Sequence, residues 1–277
     1  MAAGVTDFTI LGASGFIGAA LAADLRARGL RVLAVTRGGL PGLLASGAPC
    51  GHVIHCIGLT GDFRAHPLDT AEAHVGLVGR FLAELDFRSF LYLSSTRVYA
   101  RAEHGREDVA LAVQPNAPGD LYNITKLAGE ALCLSDPRPA VRVARLSNVY
   151  GPGMGVDGFL GQVLAEGAAH GRVILGQSLR SAKDYVALAD VLAALCGIAE
   201  RGAARLYNVA SGLNTTHDAI AAALAACMGW RFSVRENAAA LRFPRIDITR
   251  LATEFAAPAH VLLDDLSWLA ATTRQEA

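Results

Sequence analysis

The chain is poor in charge, and neither sign prevails. Charged residues make up 18% of its 277, with 25 basic residues against 25 acidic ones. A neutral chain lacks the global field of a nucleic-acid or anionic-membrane binder. Cysteine is sparse as well. Cys50, Cys56, Cys133, Cys196 and Cys227 are scattered, odd in number and never spaced C-x-x-C. This argues against a disulfide framework or a zinc site, so no metal is expected and the thiols read as free, in a reducing compartment. No apolar stretch reaches the roughly 18–20 residues of a membrane span. The start, MAAGVTDFTILGASG, shows no basic region, apolar region and cleavage site in order. The expectation is a cytoplasmic protein with no membrane or nucleic-acid partner.

What is abundant is apolar. Hydrophobic residues are 52% of the chain, enough for a sizeable core and too many for wholesale disorder. The length suits one large domain with a smaller lobe. Residues 8–11 are a short apolar run, followed by glycines and a helix-forming segment over 19–28 that Gly29 ends. A second strand is predicted over 30–35. Strand, glycine turn, helix, strand is the parallel βαβ unit. Further strands at 52–57, 90–93 and 141–146, with helices at 70–85 and 122–134, imply a parallel sheet covered on both faces. After Val149 the pattern changes at Gly151-Pro152-Gly153. Helices are predicted there over 159–169, 186–199 and 216–228, a strand over 206–209, and mixed structure over 232–269.

Gly12, Gly15 and Gly18 stand in GASGFIG, between the first strand and the first helix. One glycine permits the tight turn, one lets a pyrophosphate approach the backbone, and one lets the helix pack on the sheet. The following helix start offers free N–H groups and a positive dipole end to phosphate. Ser14, Phe16 and Ile17 complete this candidate cofactor loop. The spacing G-x-x-G-x-x-G is one residue longer at the front than the common dinucleotide fingerprint, and its strand–turn–helix context gives it weight. The second strand ends Val35-Thr36-Arg37-Gly38, without the acid that would bind a ribose 2′-hydroxyl. Arg37 suits a 2′-phosphate instead, so NADP(H) is favoured over NAD(H). The fold class is α/β: a Rossmann-type doubly wound parallel sheet with a small C-terminal substrate lobe. Residues 1–150 and about 184–212 form the dinucleotide-binding domain, and about 151–183 and 213–277 the lobe.

Tyr122 and Lys126, in YNITK, lie four apart and so on one face of a helix. A phenol of pKa about 10 is a poor base at neutral pH, and a nearby ammonium favours its ionised form. Such a pair can move a proton at a carbon that gives or takes a hydride. Upstream by 27 positions, Ser95 in LYLSSTRVY ends a strand, at the edge where open parallel sheets place ligands. A hydroxyl there can hydrogen-bond a carbonyl or alkoxide oxygen beside the tyrosine.

These segments together resemble an extended short-chain dehydrogenase/reductase of the nucleotide-sugar epimerase/reductase branch. GASGFIG, FLYLSSTRVY, YNITK, RLSNVYGPG, KDYVALADV and YNVASG follow in the family's order over most of the chain. The resemblance implies Ser95, Tyr122 and Lys126 as catalytic residues, with Tyr122 and Lys126 also at the cofactor. It implies substrate contacts at Thr96, Asn148 and Lys183, the last replacing an arginine that often meets the diphosphate. Arg180, and more weakly Arg242 and Arg245, are further phosphate candidates. A homodimer through 70–85 and 122–134 is implied in the same way.

Three departures stand out. Only about fifteen residues separate Arg37 from His52, where the family fits a helix and a third strand. His74, in AHVGL, replaces an asparagine and reads as a core residue. Asp62 and Arg64, after the strand at 52–57, either touch the sugar or pair with each other. Sugar dehydratases of the family carry Thr-Asp-Glu where this chain has Ser95-Thr96-Arg97, so elimination of water is not expected. The resemblance then implies an NADP(H)-dependent reductase of a 4-keto nucleotide-sugar, with Tyr122 as proton donor. The alternatives are a 4-epimerase with tightly bound NAD and a non-catalytic NADP-binding regulator.

Overall fold

A computed structural model describes residues 6–59, 61 and 63–276. Asp62 therefore lies outside the described residues. Six strands make the main sheet: β1 (Phe8–Leu11), β2 (Val32–Val35), β3 (His52–His55), β4 (Ser89–Ser95), β5 (Val141–Leu146) and, late in the chain, β9 (Leu206–Val209). All pair in parallel, in the order β2-β1-β3-β4-β5-β9. The chain reverses its direction of winding at β1, which has β2 on one side and β3 on the other. Ligands of such sheets bind outside the carboxyl ends of the strands at that point.

Helices cover both faces, as the continuous apolar runs of the strands demand. On one face α1 (Phe16–Ala27) and α7 (Leu188–Arg201) bury Leu21, Leu25, Leu195 and Ile198 against Ile10, Leu91 and Val209. On the other, α2 (Leu40–Ser46), α4 (Leu77–Glu84) and α5 (Asp120–Ser135) bury Leu43, Phe81 and Cys133 against Val53, Phe90 and Val143. A separate core lies beyond Ser147. There β6 (Asn148–Tyr150), β8 (Ala182–Ala187) and β10 (Asn214–Thr216) form a second sheet, and β7 (Arg172–Leu175) pairs with β11 (Arg231–Val234). Helices α6 (Phe159–His170), α8 (His217–Met228) and α10 (Leu262–Glu276) pack around Trp230, Leu164 and Leu266. The short α9 (Thr249–Glu254) sets Leu251 into the first core.

Several expectations need correction. The helix predicted over 186–199 starts at Leu188, and Val186 and Ala187 end strand β8. Residues 185–189, YVALA, are apolar without a break, so periodicity could not separate a buried strand from a helix. The helix predicted over 70–85 is three pieces: α3 (Pro67–Ala71), a π-helical turn over Glu72–Gly76, and α4. Between Arg37 and His52 the third strand is indeed missing, but the helix survives, shortened to the seven residues of α2. Strands β6, β7, β8, β10 and β11 were not predicted; β6 and β10 have only three residues each.

Candidate functional site

Helix α5 carries the tyrosine and lysine, and buried polar contacts fix it in place. At its start Asp120 accepts from the Gln114 N–H (2.7 Å) and from Arg101. In its middle Glu130 pairs with Arg145 of β5 at 2.7 Å, both almost fully buried, and accepts from Ser94. Arg145 also donates to the Tyr99 hydroxyl (2.7 Å), which donates to Asn208 of β9 (2.8 Å). Close approach of α5 depends on Gly129, where a Cβ would stand 2.3 Å from the His74 carbonyl oxygen.

Ser95, Tyr122 and Lys126 come together at the carboxyl end of β4. The Ser95 hydroxyl is near enough to the Tyr122 phenol to favour its ionisation, and its oxygen accepts from the Arg97 N–H at 3.2 Å. Lys126 Nζ donates to the Leu93 carbonyl at 2.9 Å and lies 5.8 Å from the centre of the Tyr122 ring. Burial raises the pKa of Tyr122, against the opposing pull of Ser95 and Arg97. Arg97 is thus a second cation beside this phenol, in addition to the Lys126 that the sequence pointed to. Lys126 is itself pushed down to about 7, first by burial. A buried phenol kept protonated is prepared to give a proton.

His74 belongs to this group, although its sequence context suggested a core residue. The π-helical turn sets its ring edge-on to Tyr122, centroids 5.4 Å apart. Thr125 spends its single hydroxyl proton on a helix carbonyl, at 2.9 Å from Leu121. The His74 Nδ1 lies 2.9 Å from that hydroxyl. Nε2 is buried and without a partner among the described residues. It faces Lys126 across Gly58, whose absent Cβ would lie 3.1 Å from Nε2 and 3.3 Å from Nζ. The pKa of His74 falls to about 2, through burial and then Lys126, so the ring stays neutral. A π-turn is the local signal that could have drawn attention to it.

The glycine turn fits a dinucleotide. Gly12 has φ +84°, and at Gly18 a Cβ would fall 2.3 Å from the Gly12 carbonyl oxygen, so helix and turn touch there. At Gly15 the nearest atom to a Cβ is 3.5 Å away, so this glycine is not needed for packing and leaves room for a ligand. No side chain caps the start of α1, so the N–H groups after Gly15, from Phe16 to Gly18, remain for a phosphate. Ser14 sits in the same loop. Arg37 is exposed in a single turn just after β2, beside the loop that follows β1.

The substrate candidates divide. Thr96 is buried directly after Ser95. Lys183, on β8, lies 5.9 Å from the Phe159 ring and within electrostatic reach of Arg97. Asn148 is exposed and donates to the Asp184 carbonyl at 2.7 Å. Arg180 and Arg245 are exposed on the lobe, and Arg245 donates to the Gly212 carbonyl at 2.7 Å. Arg242 pairs by its backbone with Ala182. None of these three arginines is among the contacts of Tyr122. Asp184 is a residue the sequence reading missed: it accepts from Ser147, Ser211 and Leu213 and ties the 211–213 loop to β8.

The sequence pattern of the NAD dependent epimerase/dehydratase family matches residues 8–210, and the chain belongs to that family. It is thereby an extended short-chain dehydrogenase/reductase, a class of NAD(P)-dependent enzymes. A dTDP-glucose 4,6-dehydratase from Streptomyces griseus is 27% identical over 188 residues, 65% of this chain and 56% of that protein. The chain thus spans little more than half the length of that relative. MoeE5, solved with UDP-glucuronic acid and NAD, is 25% identical with a TM-score of 0.80, over 98% of this chain and 100% of that one. RMD from Pseudomonas aeruginosa, solved with NADPH, is 23% identical with a TM-score of 0.81, over 98% and 100%. No helix among the described residues is long and apolar enough to cross a membrane.

Proposed function

We propose that this protein is an NADP(H)-dependent reductase of a 4-keto nucleotide-sugar. The observation that carries the reading is the convergence of Ser95, Tyr122 and Lys126 at the carboxyl end of β4. A bound nicotinamide would supply the hydride. Ser95 and Tyr122 would hold the substrate carbonyl oxygen, and Tyr122, protonated and buried, would give its proton as that oxygen becomes an alkoxide. Lys126 would hold ribose hydroxyls and restore charge beside the phenol. Arg37, at the end of β2 with no acid beside it, supports NADP(H). The run Ser95-Thr96-Arg97 offers no carboxylate for removing water, which speaks against dehydration. The intact triad speaks against a regulator that only binds the coenzyme. Domain division as read from the sequence, and pairing of two copies through α4 and α5, are parts of the same proposal.

A second reading has one observation in its favour: MoeE5 was solved with NAD and a nucleotide sugar. On that reading the protein is a 4-epimerase that retains NAD. NADPH consumption with a panel of 4-keto nucleotide sugars separates the two. Oxidation of NADPH in step with sugar reduction is expected, abolished in Tyr122→Phe with coenzyme binding retained. Purified protein that carries NAD and interconverts sugars without added reductant would overturn the reductase reading.

A further inference from the structure

Phe63 stands beside the Tyr122 phenol, ring centres 5.5 Å apart, and carries two guanidinium groups. The central carbon of Arg64 is 4.5 Å from the Phe63 centroid, and that of Arg97 is 5.1 Å from it. Arg97 also lies 5.3 Å from the centre of the Tyr122 ring. The two side chains converge on Gly119, where a Cβ would be 3.2 Å from Arg97 Nη2 and 3.6 Å from Arg64 Nη2. Lys183, on the lobe, is within electrostatic reach of Arg97. Among the described residues, Arg97 donates only to the Gly119 carbonyl, at 3.2 Å, and no carboxylate pairs with either guanidinium. Asp120, the carboxylate whose charge favours the Arg97 cation, is engaged by Arg101 and the Gln114 N–H.

Arg97 is half-buried and Arg64 exposed, and two like charges side by side repel each other until an anion joins them. Planar guanidinium forks suit a carboxylate. We infer that Arg97 and Arg64 receive a carboxylate borne by the sugar itself, so that the substrate is a nucleotide-linked uronic acid and not a neutral hexose.

This assignment rests on the reading above, in which Tyr122 serves the oxygen on C4. A group in contact with Arg97 must then lie next to the reacting carbon. The C6 carboxylate of a uronic acid hangs on C5, the neighbour of C4. The diphosphate hangs on C1, across the ring, and belongs with the exposed arginines of the lobe. Arg97 thereby occupies the place of the dehydratase glutamate with the opposite charge.

Equilibrium binding of matched pairs tests the assignment without turnover: UDP-glucuronate against UDP-glucose, and GDP-mannuronate against GDP-mannose, on the full chain with NADP⁺ present. In at least one pair the acid is expected to bind about tenfold tighter or more. Arg97→Met should bring that ratio close to one, and Arg97→Lys should keep part of it. Arg64→Met, in a surface loop, gives an independent arm should Arg97→Met fold poorly. Equal affinities in every pair, no binding of any of the four, or an acid preference surviving in both folded methionine variants would overturn the assignment. Acid preference with no transfer of hydride to or from any sugar would leave it standing and sink the reductase and epimerase readings instead. Turnover of neutral keto sugars alone would do the reverse.

Discussion

Gly129→Ala is the sharpest test of how the site is positioned. The new Cβ would stand 2.3 Å from the His74 carbonyl oxygen and 2.7 Å from Cζ and Oη of Tyr92, where ordinary contact begins at 3.4 Å. Two of these atoms belong to a buried ring and one to backbone, so none can swing aside. Relief needs a displacement of about 1 Å between α5 and the π-helical turn. Tyr122 and Lys126 ride on α5, and His74 on the turn. A misplacement of about 1 Å in a catalytic group can cost about a hundredfold in rate. Overpacking of this kind also costs about 1–3 kcal/mol, and each kcal/mol lowers Tm by about 2–4 °C in a chain of this size. The assay is kcat on the substrate wild type accepts, with a thermal melt and NADPH binding alongside. Gly79→Ala is the control: its nearest neighbour is 3.9 Å away, on the Leu132 side chain, and it should gain about 0.4–1 kcal/mol. Wild-type kcat and Tm in Gly129→Ala would refute the idea that close packing against the turn sets the geometry.

Glu130→Gln should lose about 3–5 kcal/mol in denaturant titration, because Arg145 is left buried with its charge uncompensated; a loss under about 1 kcal/mol would show the pair to be dispensable. Lys126 is held near 7 by burial, so between about pH 7 and the ordinary lysine range the unfolded chain carries a proton that the folded chain lacks. Stability from this group therefore rises with pH across that window, by about 1.4 kcal/mol per unit, and the rise ends once the unfolded lysine also deprotonates. Lys126→Met should abolish this component, so its stability relative to wild type falls as pH goes from 7 to 9; a constant difference would contradict the low pKa. Arg37→Asp should weaken NADPH binding about tenfold or more while sparing NADH, and an unchanged ratio of the two affinities would remove Arg37 from coenzyme choice.

Local sequence determined a good deal of this protein. GASGFIG between an apolar run and a helical one dictated the turn, because a φ of +84° and a 2.3 Å approach admit only glycine there. The spacing of Tyr122 and Lys126 placed both on one face of α5 whatever surrounded them. The short stretch from Arg37 to His52 could hold a helix or a strand with its connections, and it left the sheet without its outer strand. Tertiary structure decided what periodicity cannot encode. KDYVALADV became strand and then helix because only the strand half found partners, in β6 and β10. His74 read as a core residue and is buried, yet the π-turn aims its ring at Tyr122. Arg64 and Arg97 are 33 residues apart, and nothing in either neighbourhood announces the other. They share the face of Phe63 only because the chain after β3 folds back over the carboxyl end of β4, and electrostatic fields act through space, not along the sequence.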